Sequence, residues 1–227
     1  MKYKKINYSF LLVILSLMSL ILINCGKSDK EVKITETQEK VAEIKEGNKI
    51  YIVDLQESSI QWIGKKVTGQ HNGYINFKSG ELGVENNKLN AGKFTVDMNS
   101  ITCTDLKDEE SNSKLVGHLK SEDFFWVSKF PESKFEIINV NEIIESNNKN
   151  YNFNITGKLT IKDSTKTITF PAYIVIDDAK LVAEADFEID RTEFGVKYGS
   201  GKFFQGLGDK MIKDNFNLII KLIAKAK

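Results

Sequence analysis

The chain has 227 residues, with 32 basic and 31 acidic side chains, a formal net charge of +1, 41% hydrophobic residues and 28% charged ones. This globular composition argues against wholesale disorder, and the near-neutral balance lacks the basic surface that a nucleic-acid partner needs. Two Cys and two His exclude a disulfide scaffold and a metal site rich in those ligands.

The amino terminus reads as an address. Lys2, Lys4 and Lys5 precede an apolar run over residues 10–23, broken by Ser16 and Ser19. The run suits the core of a signal peptide and is short of the ~20 residues that span a membrane. It ends at Leu22-Ile23-Asn24-Cys25-Gly26, which resembles a bacterial lipoprotein signal, with Asn24 where a small residue is usual. The expectation is a signal peptide over residues 1–24, removed so that Cys25 becomes the lipidated first residue and membrane anchor. An uncleaved membrane anchor is the competing reading. Losing Lys2, Lys4 and Lys5 from a chain of net charge +1 leaves −2. The remaining thiol, Cys103, has no partner and reads as a buried core residue.

Residues 25–48 read as a polar, lipid-anchored tether. Flexible, ~23 residues would reach about 25 Å; a short helix over residues 39–45 is the alternative for part of it. From Lys49 the dominant period is two. Tyr151, Phe153, Ile155, Leu159 and Ile161 fall on one face. Leu181, Ala183, Ala185, Phe187 and Ile189 alternate with Val182, Glu184, Asp186, Glu188 and Asp190, and Phe216, Leu218, Ile220 and Leu222 repeat the pattern. Each set predicts an antiparallel strand with one apolar face. Further strands are expected over residues 50–55, 59–65, 73–78, 81–85, 91–98, 134–140 and 167–176. Turns are expected at residues 85–88, at Asn147-Asn148, at Asp163-Ser164 and at Asp177-Asp178.

About eight to ten such strands must curl, split or close. The expected fold is all-β, an antiparallel up-and-down barrel over residues 49–227, with a sandwich as second choice. Pro171 within a strand pattern implies an edge or a bulge. Residues 104–131 lack alternation. They predict a short helix over residues 108–117, then a capped turn and buried aromatics, an excursion that closes one end or forms a lid.

In this excursion the sequence becomes recognisable. Gly117-His118-Leu119-Lys120-Ser121-Glu122-Asp123-Phe124-Phe125, with Phe130-Pro131 and Phe135, resembles the central signature of YceI-like proteins. Gly157-Lys158-Leu159-Thr160-Ile161 with Lys166-Thr167-Ile168 and Pro171 resembles the family's hairpin. Ile189-Asp190-Arg191-Thr192-Glu193-Phe194-Gly195 is similar to its late strand and turn. Gly64-Lys65-Lys66-Val67-Thr68-Gly69, His71 and Gly73 resemble one subgroup's opening. Trp126 stands where many members have a small or acidic residue, and the loop over residues 105–112 is atypical. The resemblance covers about residues 50–226.

It implies a lipocalin-like barrel whose apolar interior holds a long isoprenoid or similar lipid, in a protein exported to the bacterial envelope. By pattern alone the aromatic faces read as ordinary core; the resemblance turns Phe77, Phe94, Met98, Phe135, Phe153, Ile155, Phe170, Phe187 and Ile189 into candidates for lining a lipid cavity. Arg191 is the sole Arg among 32 basic residues. It reads as a clamp on a polar headgroup or as a structural ion pair with Asp190, Glu193 or Asp123. His118 and His71 read as hydrogen-bonding loop groups; His118 also joins Arg191 as a headgroup candidate. No metal set and no catalytic residue is assigned. The expected partners are a long-chain lipid such as a polyisoprenoid or isoprenoid quinone, the membrane through Cys25, and a second copy through a sheet edge or the lid; no cofactor beyond such a lipid is expected. Two rivals stand beside this carrier: a lipid-processing enzyme using His118 with Asp123 or Glu122, and a solidly packed protein-interaction barrel.

Overall fold

In the computed structural model the alternating segments form strands, here numbered in chain order: β1 Lys33–Thr35, β2 Lys49–Val53, β3 Ser59–Lys66, β4 Gln70–Glu85, β5 Lys88–Asp97, β6 Glu132–Glu142, β7 Phe153–Ile161, β8 Ser164–Ile176, β9 Lys180–Asp190 and β10 Ile212–Ala226. A helix, α1 (Glu109–Lys120), stands between β5 and β6. The structure describes residues 30, 32–35, 39–144 and 151–227. The expected signal peptide, Cys25 and the Asn147-Asn148 turn lie outside the described residues.

Every pairing is antiparallel, and the wall closes as an eight-stranded barrel. From β4 to β10 the chain meanders. The eighth position is shared: β2 pairs with β4 and β10 near one end, and β3 pairs with the same two strands towards the other. Asp54 makes the break between them, accepting from the backbone N–H groups of Gln56 and Glu57. The β4–β5 hairpin turns on Asn86 and Asn87, both at positive φ, the conformation a two-residue turn needs to match strand twist.

The expected faces point inward. Leu181, Ala185, Phe187 and Ile189 are buried, with Ile155, Ile168, Phe170 and Ile174 from the neighbouring strands. Two expected strands, 73–78 and 81–85, are one, because β4 absorbs the break in alternation as a register shift between Phe77 and Ser79. The expected helix over residues 39–45 is absent. There the Ala42 N–H donates to the Ile137 carbonyl at 2.9 Å and Ile44 packs beside Gly83, so tertiary contacts hold the chain extended.

The tether departs most from expectation. β8 and β9 pair directly only where residues 173–176 face 181–184. Beyond that they part, and the segment expected to be a free linker fills the gap. Lys33, Ile34 and Thr35 pair with Thr169, Ile168 and Thr167 of β8. On the other flank the Glu188 N–H donates to the Lys30 carbonyl at 2.8 Å, and the Val32 N–H donates to the Glu188 carbonyl at 3.1 Å. Val32 is 8% exposed and joins the core. Among the described residues the barrel wall therefore includes Lys30 and residues 32–35, ahead of the expected start at Lys49. Pro171 lies where β8 changes partner from β1 to β9. Ala172 and Ile174 turn their polar groups toward Asn152 on the β7 side, so Pro171 faces the gap, where its missing N–H costs no ladder bond.

Replacing Val32 with Asp should loosen this stave. Lost burial of the side chain is worth about 2 kcal/mol, and a buried unpaired carboxylate adds to that. The expected fall in melting temperature is about 4–8 °C, with faster amide exchange at Thr167 and Thr169. An unchanged melting curve and unchanged exchange would show that the stave contributes nothing to closure.

Candidate functional site

The barrel interior is not filled. A cavity of about 700 Å³ runs along it, lined by side chains from β3 to β10 and from the β5–β6 excursion. Eight of the nine sequence candidates line it: Phe77, Phe94, Met98, Phe135, Ile155, Phe170, Phe187 and Ile189. Phe153 does not. It starts β7 and shares the inward face of Ile155, but is packed against the core outside the lining.

Five of these rings form a continuous belt. Ring centroids are 6.3 Å apart for Phe77–Phe94, 6.2 Å for Phe94–Phe135, 5.6 Å for Phe135–Phe170 and 4.2 Å for Phe170–Phe187. The belt crosses β7 without a β7 ring because Gly157 stands there: a Cβ on Gly157 would lie 2.3 Å from the Phe135 ring. Gly157 thus lets β6 and β8 rings meet, which explains why a glycine interrupts the apolar face of β7.

The end where β3 finishes and β4 begins carries the excursion. Asp108 caps α1 by accepting from the Ser111 N–H at 2.8 Å. Asn112 donates to the carbonyls of Cys103 and Leu106, both at 2.9 Å, and Lys120 donates to the Asn99 carbonyl at 2.7 Å. Phe124 and Val127 are buried beneath the turn that follows. Leu106, Leu115, His118, Leu119, Phe124 and Phe125 face the cavity, so the excursion roofs it. Gly73 permits the close approach of this segment to β4, since a Cβ there would fall 1.8 Å from the Thr102 carbonyl oxygen.

Polar groups concentrate under this roof. Asp105 accepts from the Asn72 N–H at 2.8 Å, lies 2.8 Å from His71 Nδ1 and accepts from the Cys103 thiol at 3.3 Å. Burial raises its pKa, but the Asn72 N–H, His71 and Cys103 outweigh burial and hold the carboxyl at about 2. Burial pushes the Cys103 thiol up, so Cys103 is a neutral donor to Asp105 and a poor nucleophile. His118 does not bond to loop backbone through Nε2: that atom is buried without a hydrogen-bond partner, and the ring packs 4.5 Å from Tyr198 and 5.4 Å from Phe124.

Arg191 is committed to the fold. It is 3% exposed and donates to the carbonyls of Val196 at 2.8 Å, Lys213 at 3.2 Å and Ile212 at 3.3 Å. Its ionic partner is Asp214 at 3.5 Å, a residue not among the sequence candidates, and its guanidinium lies over the Phe124 ring. Burial lowers its pKa. It ties the β9–β10 connection to the roof. Among the described residues no group of three His, Cys, Asp or Glu side chains is placed to hold a metal.

The sequence matches the family model of the YceI-like domain over residues 51–224. No curated protein matches it. Among solved structures it is similar to BcnA of Burkholderia cenocepacia, with a TM-score of 0.58, 23% identity, and coverage of 75% of this chain and 98% of that one. It is also similar to a polyisoprenoid binding domain from Saccharophagus degradans, with a TM-score of 0.54, 10% identity, and coverage of 83% and 100%. At these identities the likeness is one of fold.

The Asp105 anchor has a pH signature. Its folded pKa of about 2 lies below the ordinary value of 3.8. The stabilisation is therefore complete above about pH 4 and is lost as pH falls towards 2. Trp62 donates to the Thr102 carbonyl and reports on this segment. In a Trp126→Phe background, Trp62 emission should change between pH 4 and 2, and Asp105→Asn should show the low-pH emission already at pH 7. Emission in Asp105→Asn identical to the parent at both pH values would remove Asp105 as the anchor.

Proposed function

The chain belongs to the YceI-like family, and from that premise we propose that it is a carrier that sequesters one long apolar chain, a polyisoprenoid or isoprenoid quinone, inside its barrel. The cavity carries this reading. Its belt of five phenylalanines and its aliphatic walls offer the body of a ligand desolvation, while its polar groups, Glu184 excepted, gather under the roof. A solidly packed interaction barrel would leave no such space. His71 and Asp105 resemble an oriented base, but Cys103 beside them is a buried neutral thiol, so no nucleophile accompanies the pair.

The energetics favour long ligands. Each buried CH₂-sized group contributes about 0.8 kcal/mol, so a dozen give roughly 10 kcal/mol before an association cost of about 4 kcal/mol or more. Release then depends on offering the chain another apolar phase, which a bilayer provides. The apolar run that ends at Cys25 supports placement in the bacterial envelope, with the lipidated cysteine as anchor. Lys30 is already bonded into the wall, so the five steps from Cys25 reach at most about 18 Å. The carrier would ride close to its bilayer, nearer than a free tether of residues 25–48 would hold it.

The first test is to purify residues 26–227, which carry every described element, under native conditions and to extract them for lipid mass spectrometry. A stoichiometric long-chain isoprenoid is expected. An empty extract, with no uptake of quinones or polyprenols on incubation, would overturn the reading. Affinity should rise about tenfold for every two CH₂-sized groups added to a short isoprenoid, until the cavity is full. Ala185→Phe, which puts a ring into the cavity wall, should flatten that rise.

His118 is the headgroup contact in this reading, because its unpartnered Nε2 lies at the roofed end. His118→Phe should cost roughly tenfold in affinity for a quinone or polyprenol, one hydrogen bond, and leave a bare isoprenoid hydrocarbon unaffected. Titration of both ligands separates the outcomes, and equal loss for the two would remove His118 from that role.

A further inference from the structure

The connection between β9 and β10, residues 191–211, puts apolar side chains into solvent at the roofed end. Tyr198, Phe203 and Phe204 are 46%, 47% and 49% exposed, and Val67 on the β3–β4 turn is 51% exposed. The two loops are joined, since the Val67 N–H donates to the Met211 carbonyl at 3.3 Å and Lys66 pairs with Ile212. These aromatics are held outward by design of the backbone. Ser200 is fully buried, and its carbonyl accepts from the N–H groups of both Phe203 and Phe204. Lys202 pairs with Asp190 and fixes the loop to the end of β9.

Lysines share this loop and the strand ends that flank it. Lys197 stands 4.9 Å over the Phe203 ring. Lys66, Lys197, Lys210 and Lys213 have no carboxylate within ion-pair distance among the described residues. Of the nearby carboxylates, Asp190 and Asp214 are neutralised by Lys202 and Arg191, and Glu193 and Asp209 are exposed. The loop face is thus aromatic and net positive, with four lysines outside those pairs against Glu193 and Asp209, while the exposed Glu122 and Asp123 stand on the roof beside it. Tyr198 touches the roof residue His118 and lines the cavity together with the solvent-exposed Lys66 and Lys213, so the cavity reaches solvent beside this face, and that opening is its mouth. The face also adjoins Lys30, the first described residue, whose carbonyl accepts from Glu188, two residues before Asp190.

We propose that this face docks on an anionic phospholipid bilayer, with Phe203 and Phe204 seated among the acyl chains and the lysines on the headgroups. Aromatic rings with lysines around them are the composition of an interfacial anchor, and the charge selects an anionic surface over a neutral one. Docking sets the cavity mouth against the bilayer, so a long apolar ligand passes between the two without crossing water. The passage of ligand rests on the carrier reading; the docking itself does not.

The test uses residues 26–227 without a lipid on Cys25 and measures co-sedimentation with vesicles. Binding is expected to vesicles of phosphatidylglycerol and phosphatidylcholine, to be weak to phosphatidylcholine alone, and to fall at least tenfold in high salt. Phe203→Ser with Phe204→Ser should reduce it at least tenfold while leaving the affinity for a soluble short isoprenoid unchanged. Should that variant not fold, Lys197→Glu with Lys210→Glu reads the same face and should lose binding to the anionic vesicles. Equal vesicle binding by variant and parent overturns the proposal. So does a self-association that Phe203→Ser and Phe204→Ser abolish in a parent that ignores vesicles, which would make the face a contact between copies. Docking without any ligand in the cavity would uphold this proposal and sink the carrier.

Discussion

A barrel of eight antiparallel strands encloses a usable interior only if no strand is left with an open edge. In this chain that requirement is hardest to meet between β8 and β9. Their turn joins them over four residue pairs, and then they separate by the width of a strand. The gap stands beside the stacked pair Phe170–Phe187. Left open it would expose those rings and a row of unpaired backbone groups on β8 and β9. The amino-terminal segment closes it with backbone bonds on both flanks and one buried valine. Pro171 answers the same constraint from the other side, lacking a donor where β8 has no neighbour to receive it. A segment that closes the wall cannot also serve as a long leash. The requirement for closure and the distance from Cys25 to the barrel are therefore one physical problem.

The interior obeys a second constraint. An eight-stranded barrel is narrow enough for side chains alone to fill it, so an open cavity requires residues that line without meeting at the centre. The phenylalanine belt does this by lying along the wall, ring beside ring, and Gly157 is what keeps it continuous across β7. Ala172, Ala183 and Ala185 supply small side chains on the same wall. Polarity is pushed to one end, where α1 and the turn after it are held by backbone carbonyls, Asp105 and Arg191. Those anchors come from the excursion, β4, β9 and β10, so the roof is tied to the barrel at several places, not hinged at one.

Period-two patterning made most of this legible before any coordinates. The inward faces of β7, β9 and β10 follow from alternation because a register slip of one residue would turn each apolar set outward. Seven of the eight candidates that line the cavity lie on strands and take their faces from alternation, and the family resemblance reads those faces as a cavity; Met98 follows β5 in a turn, and Phe153 shows that an inward face does not by itself make a lining residue. The helix after Asp108 was legible from its polar run, while its cap at Asp108 was not singled out. What was not legible is non-local. Residues 30–35 hold only Val32 and Ile34 as large apolar groups, too few for a strand signal, and they become a strand only because β8 and β9 have parted. Residues 39–45 have helical composition but donate to Ile137. The partner of Arg191 was missed because Asp214 lies 23 positions away and is brought near by a turn between two strands.

The exposed aromatics follow a different logic from the buried ones. Phe203 and Phe204 sit in a glycine-rich loop with no alternation, so patterning assigns them to a hairpin connection and stops there. The energetics of exposure then sharpen the question. Leaving two phenylalanines half in water forgoes stabilisation that burial would supply, about 1.5–3 kcal/mol for each ring fully buried, and an ordinary connection would carry polar residues there. The loop keeps its rings outward through the buried Ser200 and the Lys202–Asp190 pair, beside the cavity and on the flank that carries Lys30. A water-soluble barrel gains nothing from that arrangement. Under the proposed function, a carrier of a water-insoluble ligand would gain a short apolar route between two apolar phases.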